Sequence, residues 1–172
     1  MKGACRHEVS DSSEWARWLE QYAPGLLLFA RQQARSEADA QDLVQDALVE
    51  CWQRAGAGGP PPPAMVFAAI RRRAVDLARR EDRRGRREAA AHVAAPQCWF
   101  DSAVEDRERN QVIQQAMERL PELNREAVTL KIWGGLTFAE IAEVTGIPPN
   151  TAASRYRYGL EELRRLTTEV FA

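Results

Sequence analysis

Residues 154–159 of this 172-residue chain, SRYRYG, set two arginines two positions apart beside a serine and two tyrosines. On a helix, that mixture is what phosphate clamping and base-edge contact in the major groove of DNA require. A second concentration of positive charge, Arg71, Arg72, Arg73, Arg79 and Arg80 with Asp76 among them, forms a funnel able to neutralise phosphates of single or double strands. A third set is acidic: Asp42, Gln45, Asp46 and Glu50 recur on one side of an apolar stripe. Such a face can pair with a basic coiled coil and so give orientation and fast encounter. On its own, any charged helix face is more often merely solvated.

Catalytic chemistry is not indicated. His7 and His92 stand near no nucleophile at a recognisable spacing, no glycine loop is built for phosphate, and no carboxylate pair implies a cleft. Cys5, Cys51 and Cys98 are odd in number and far apart, so neither a disulfide framework nor a metal site is expected, and no cofactor. Cys51 reads as a small core hydrophobe.

The formal charge of −1 conceals an asymmetry. Lys and Arg number 5 against 9 Asp and Glu in residues 1–50, 10 against 4 in 51–100, and 9 against 12 in 101–172. A basic middle between acidic ends suggests a polyanion at one face and a basic partner at another. The opening MKGACRHEVSDSSEWARW has no apolar core of signal-peptide length, and no later run is long enough to span a bilayer. A cytoplasmic protein without membrane insertion is expected.

Helices must position these groups, and the sequence predicts an all-α fold of two small helical domains joined by a linker. Asp11 with Glu14 resembles a capping box, before Trp15, Trp18, Leu19 and Tyr22 at helical spacing. Pro24 and Gly25 predict a break, with a second helix over 26–35. A third, over 38–54, carries the stripe Leu43, Val44, Ala47, Leu48, Cys51 and Trp52. AGAGGPPPPA, residues 55–64, is a loop. The basic helix follows over 65–84, with Val66, Phe67, Ile70, Ala74, Leu77 and Ala78 inward and the arginines outward. The first domain is thus 10–84 and the linker 85–102, where periodicity fades and at most a transient helical turn is expected.

The second domain, 103–172, should hold helices over 103–120, 122–133, 137–145 and 151–168. Thr137 with Glu140 makes a capping box and Gly146 closes its helix. The last two helices fit a helix-turn-helix, with Ala142 at the crossing and Gly146 in the turn. Ile141, Ile147, Ala152, Tyr156 and Leu160 would hold the pair to the body, leaving Ala153, Ser154, Arg157 and Tyr158 outside and Arg155 at the margin.

Three blocks in this order resemble the sigma-70 family of RNA polymerase initiation factors, specifically its extracytoplasmic-function group. They are DLVQDALVECW at 42–52, AAIRRRAVDLARR at 68–80, and LPELNREAVTLKIWGGLTFAEIAEVTGIPPNTAASRYR at 120–157. The resemblance covers about residues 15–168. It implies a sigma factor that binds core RNA polymerase, through the β′ clamp helices and the β flap, and directs it to promoter DNA. An anti-sigma factor is a further partner of that family. Carried over residue by residue, Asp42, Leu43, Gln45, Asp46 and Glu50 match the polymerase-docking region. Arg71, Arg72, Arg73, Asp76, Arg79 and Arg80 match the −10 region. Thr151, Ala153, Ser154, Arg155, Arg157 and Tyr158 match the −35 reader. The chain departs from the usual pattern at Asn150, where Gly is common, and at Ala153, where Lys or Arg is common. It departs again at Met65, Val66 and Arg72, where the family often has Trp, Leu and Asn, and its proline loop offers no stacking side chain for a flipped base. The alternative is an autonomous helix-turn-helix repressor or activator, which would need a symmetric dimer on paired half-sites.

Overall fold

The computed structural model describes residues 5–55, 59–85, 98–100 and 107–171. Their order is α1 (Cys5–Gln33), α2 (Glu37–Ala55), α3 (Pro63–Gly85), α4 (Arg107–Arg119), α5 (Glu122–Ile132), α6 (Phe138–Thr145) and α7 (Pro149–Phe171), with no strand among the described residues.

One expectation fails at once: α1 runs through Pro24 and Gly25 without a break, and Asp11 and Glu14 lie inside it rather than at its start. An interior proline forfeits one backbone hydrogen bond and crowds a carbonyl, at about 3 kcal/mol. Trp18 before it and Leu26, Leu28, Phe29 and Ala30 after it are all buried. At roughly 1.5–3 kcal/mol for each large apolar side chain, that burial outweighs the local cost.

In α2, Leu43, Ala47 and Cys51 follow one another at four-residue spacing and are buried, as the stripe predicts. Trp52 is not: it is 55% exposed. One residue beyond Cys51 is a 100° rotation, which carries its ring off the buried line. Along α3, Val66, Phe67, Ile70 and Ala74 are buried, whereas Leu77 is half-buried and Ala78 exposed, contrary to expectation. The seam between α2 and α3 opens there into a cleft that Leu77 lines. Pro63 opens α3, where its missing N–H costs nothing, and Pro61, two residues before it, is wholly buried.

The second half follows its local signals closely. Thr137 caps α6 in a reciprocal box with Glu140, and Gly146 ends it in the left-handed conformation, φ 71°. Its N–H donates to the carbonyl of Ala142 at 2.8 Å. α7 crosses α5 closely enough that a Cβ on Gly159 would lie 2.7 Å from Val128 Cγ2.

The two halves are not separated. One buried cluster joins Leu26, Phe29, Val66, Phe67 and Ile70 to Leu130, Leu136, Ile141, Val144 and Ala152, and α6 packs on α3. Most of the expected linker lies outside the described residues. Its residues 98–100 dock: Trp99 is buried in a second cluster with Leu28, Met117, Leu120 and Val128.

Candidate nucleic-acid interface

The hairpin α6–α7 is held as expected by its inner face. Ile141 and Ala152 are fully buried, Ile147 and Leu160 half-buried, and the Tyr156 ring lies 5.7 Å from that of Phe138. Thr151, Ala153, Ser154 and Arg155 are half-buried along the margin, while Arg157 and Tyr158 are exposed, Tyr158 by 57%. Ser154 turns its hydroxyl back to the carbonyl of Asn150 at 2.9 Å, a bond that any base contact must share or replace. The Arg157 guanidinium sits 5.4 Å from the Tyr158 ring. Neither Arg155 nor Arg157 has an ion pair among the described residues. About two turns further on, Arg165 is bound by Glu162 at 2.5 Å, while Arg164 beside it is exposed.

The arginines of α3 are in a different condition. Arg72 donates to Glu50 at 2.5 Å; Arg73 donates to Glu50 at 3.1 Å and to Asp46 at 3.0 Å; Arg54 adds a third cation to Glu50 at 2.8 Å. Burial pushes the Glu50 carboxyl up, but the hydrogen bonds and charges of Arg72, Arg73 and Arg54 outweigh it and hold it below the ordinary carboxylate value. The residues matched to polymerase docking and to the −10 element therefore form one charge network across α2 and α3. Asp76 and Arg79 make only a loose exposed pair, 3.8 Å apart. Arg80 is exposed and lines, with Asp39, Asp42, Asp46, Asp76 and Arg73, a cleft of about 200 Å³.

Arg71 does not project outward as expected. Its Nε donates to Glu126 Oε1 at 2.6 Å, and Glu126, on α5 of the other half, is 5% exposed. A buried carboxylate demands a cation, and Arg71 supplies it. Of the acidic face, Asp42, Gln45 and Asp46 are exposed and Glu50 partly so, whereas Leu43 is buried and supports the face from beneath. Beside it lies an apolar groove of about 370 Å³ lined by Trp15, Leu48, Val49 and Trp52. Among the described residues no group of three metal-ligating side chains forms.

Sequence reasoning missed the groups at the seam. Arg31 is buried, paired with Glu37 through two bonds of 2.8 Å, and donates to the carbonyl of Trp99 at 2.9 Å. Gln114 accepts from the Trp99 N–H at 2.9 Å, and the Arg125 guanidinium lies 5.5 Å from the indole. Thr129 donates to Gln32 at 2.9 Å, leaving Gln32 Nε2 buried with no partner among the described residues. Gly25 faces the carbonyl of Trp133 so closely that a Cβ would stand 2.3 Å from its oxygen. The only available signal was composition: a lone Trp in a weakly patterned segment, and a Gly beside a Pro.

Residues 110–163 match the family "Sigma-70, region 4" and residues 18–84 match "Sigma-70 region 2". The chain is 31% identical over 137 residues to the ECF RNA polymerase sigma factor SigK of Mycobacterium ulcerans, covering 76% of this chain and 73% of that one. It is 29% identical over 162 residues to the ECF RNA polymerase sigma factor RpoE of Cereibacter sphaeroides, covering 90% and 87%. Among solved structures its fold resembles the sigma factor RpoE bound to the anti-sigma factor NepR from Bartonella quintana, with TM-score 0.66 and 22% identity over 90% of this chain and 96% of that one. It also resembles CnrH in complex with the cytosolic domain of CnrY, with TM-score 0.60 and 20% identity over 96% and 95%. No helix among the described residues is long and apolar enough to cross a membrane.

Proposed function

The chain belongs to the sigma-70 family, in its extracytoplasmic-function group, and is a sigma factor that directs transcription initiation; from that premise we propose how its residues divide the work. The acidic face of α2, Asp42, Gln45, Asp46 and Glu50, docks on the β′ clamp helices of core RNA polymerase, with the apolar groove at Trp52 extending the contact. The C-terminal half meets the β flap. α3 engages the −10 element through Arg72, Arg73, Arg79 and Arg80, and α7 reads the −35 element with Thr151, Ala153, Ser154, Arg155, Arg157 and Tyr158. Residues 10–84 and 103–172 are the two working domains. A sigma factor is an initiation factor and not itself an enzyme. It works in the cytoplasm, and an anti-sigma factor is its regulatory partner, as NepR is in the solved complex of RpoE.

The observation that carries this reading is the network shared by α2 and α3. Asp46 and Glu50 belong to the docking face, yet they hold Arg72 and Arg73 at 2.5–3.1 Å. A basic coiled coil arriving at that face competes for the same carboxylates, and the guanidinium groups it displaces turn to phosphates. Polymerase binding thereby raises DNA affinity at the −10 element, and strand opening is stabilised where phosphates replace carboxylates as the counter-charge. On α7 no such release is needed, because Arg155 and Arg157 are unpaired among the described residues.

Run-off transcription tests it, with the purified protein, the matching core polymerase and the DNA upstream of its own gene. A discrete transcript that requires both components is the expected result. Absence of both transcript and co-elution with core polymerase would return the chain to the class of autonomous helix-turn-helix regulators.

A further inference from the structure

The last turn of α5 carries Lys131, a half-buried cation on the helix that α7 crosses. Its ammonium is occupied inside the protein: Nζ donates to the carbonyl of Leu136 at 2.9 Å and stands 5.0 Å from the centre of the Phe138 ring. That ring lies in turn 5.7 Å from the ring of Tyr156 on α7, tilted to it by 56°. Tyr156 stands between Arg155 and Arg157, both assigned above to the −35 element.

We infer that Lys131 is a positioning residue for −35 recognition. Through the Leu136 carbonyl and the ring pair Phe138–Tyr156 it fixes the rotation of α7 about its own axis, and so which bases Arg157 and Tyr158 meet. The inference rests on the reading of α7 given above.

Leu136 is clamped to α5 on both sides. Its N–H donates to the carbonyl of Leu130 at 3.1 Å, while its own carbonyl takes the Lys131 bond. Thr137 follows at once and caps α6, so the residue that Lys131 holds sets where the first helix of the hairpin begins. Lys131 acts on that cap as well. Two hydrogen bonds from Thr137 hold the Glu140 carboxyl below its ordinary value, and the Lys131 charge adds to them against the effect of burial. Beyond the cap, a cation facing an aromatic ring is attracted by its negative face, which draws Phe138 to one place. Tyr156 meets the far end of this series. Successive helix residues differ by 100°, so seating Tyr156 against Phe138 also settles the directions of Arg157 and Tyr158. A helix with its side chains is about 10–12 Å across, and a 10° rotation moves its edge by about 1 Å. Hydrogen-bond lengths span only about 0.5 Å, so a slip of that size is enough to spoil a base contact.

Two plainer roles are open to a lysine here, and each makes a different forecast. A cation at the C-terminal end of α5 favours the helix dipole, which would alter stability and not the choice of bases. A lysine reaching a phosphate would add affinity that is blind to sequence.

Holoenzyme reconstituted from the full chain and core polymerase separates them. Binding is measured across a range of salt on two fragments of its own promoter that differ only in the −35 element, intact or scrambled. Lys131→Met keeps the apolar stem and removes the cation. Its ratio of intact to scrambled affinity should fall about three- to tenfold, nearly all of it on the intact fragment, with the salt dependence unchanged. Lys131→Arg, which can still donate to the Leu136 carbonyl and lie over the ring, should restore most of the ratio. Phe138→Leu should lower the ratio as well, and adding Lys131→Met to it should lower it little further.

Equal losses on both fragments, with a salt dependence shallower by about one phosphate's worth, would make Lys131 a DNA contact and overturn the proposal. So would an unchanged ratio with only a lower melting temperature, which is the mark of the dipole alone. Fully additive losses in the double variant would overturn the route through the rings. Wild-type holoenzyme that does not distinguish the two fragments would overturn the −35 reading of α7 itself, and the role of Lys131 with it.

Discussion

α3 and α7 are each 23 residues long and amphipathic to the same degree, and both turn arginines away from a buried apolar face. What separates them is what the arginines touch. On α3 three successive guanidinium groups are already committed, Arg71 to Glu126 and Arg72 and Arg73 to Glu50 and Asp46. On α7, Arg155 and Arg157 meet no carboxylate among the described residues. In the proposed division of work, α3 can read DNA only once its charge is released, whereas α7 is already set. A count of basic residues would rank α3 the stronger DNA-binding element, but three of the arginines it counts are already held by carboxylates.

The largest effect expected from breaking this arrangement lies where the two readers share support. Phe67 is fully buried, stacks edge-on against Phe29 at 5.5 Å, and lies against Gly134 of the second half. Phe67→Ala should cost about 3–5 kcal/mol, and denaturant unfolding should show both halves lost in one earlier transition. Two separate transitions would mean that the readers are supported independently.

Next in size is the direct contrast. Arg157→Ala should weaken binding of −35 duplex by about 1–3 kcal/mol and make its salt dependence shallower by about one phosphate's worth. Arg72→Ala should leave −35 duplex affinity unchanged while reducing opening at the −10 element, read as reactivity of unpaired thymines in the polymerase complex. Equal losses on −35 duplex from the two variants would abolish the distinction.

A smaller effect concerns how α7 is aimed. Thr137→Ala removes the cap of α6 and should cost about 1 kcal/mol of thermal stability, with a loss of −35 affinity that the −10 readout does not share.

The smallest is a pH dependence. The folded Glu50 carboxyl is held below its unfolded value, so its contribution is present above about pH 4.3, the unfolded carboxylate value, and is lost as pH falls through the depressed folded value. Urea unfolding of Glu50→Gln at pH 7 and pH 3 should therefore show a gap from wild type that narrows on acidification. A constant gap would mean that Arg72 and Arg73 are no more committed in solution than Arg157.

The sequence made visible whatever local chemistry decides. The capping box at Thr137 and Glu140, the left-handed Gly146, the buried Cys51 and the exposure of Arg157 and Tyr158 were all readable, because each depends on residues within a few positions of one another; Ala153 and Ser154, read as outward too, are half-buried. What was illegible depends on residues brought together from afar. Pro24 and Gly25 spell a break by every local rule, and only burial on both sides keeps α1 whole. Arg71 is indistinguishable from Arg72 by type and spacing, yet its fate is decided by Glu126, 55 residues away. Trp99 had no periodic neighbours to announce that it would be buried. Trp52 was misplaced for a smaller reason: a six-residue apolar stripe is too coarse to fix an orientation within 100°.

The shared core also bears on how the protein is made. Val66, Phe67 and Ile70 are covered in part by Leu136, Ile141 and Val144, which the ribosome adds roughly seventy residues later. At about 5–20 residues per second, that is an interval of roughly 4–14 s. Throughout it the part of that face that the second half will cover stays open to solvent, until the last three helices emerge.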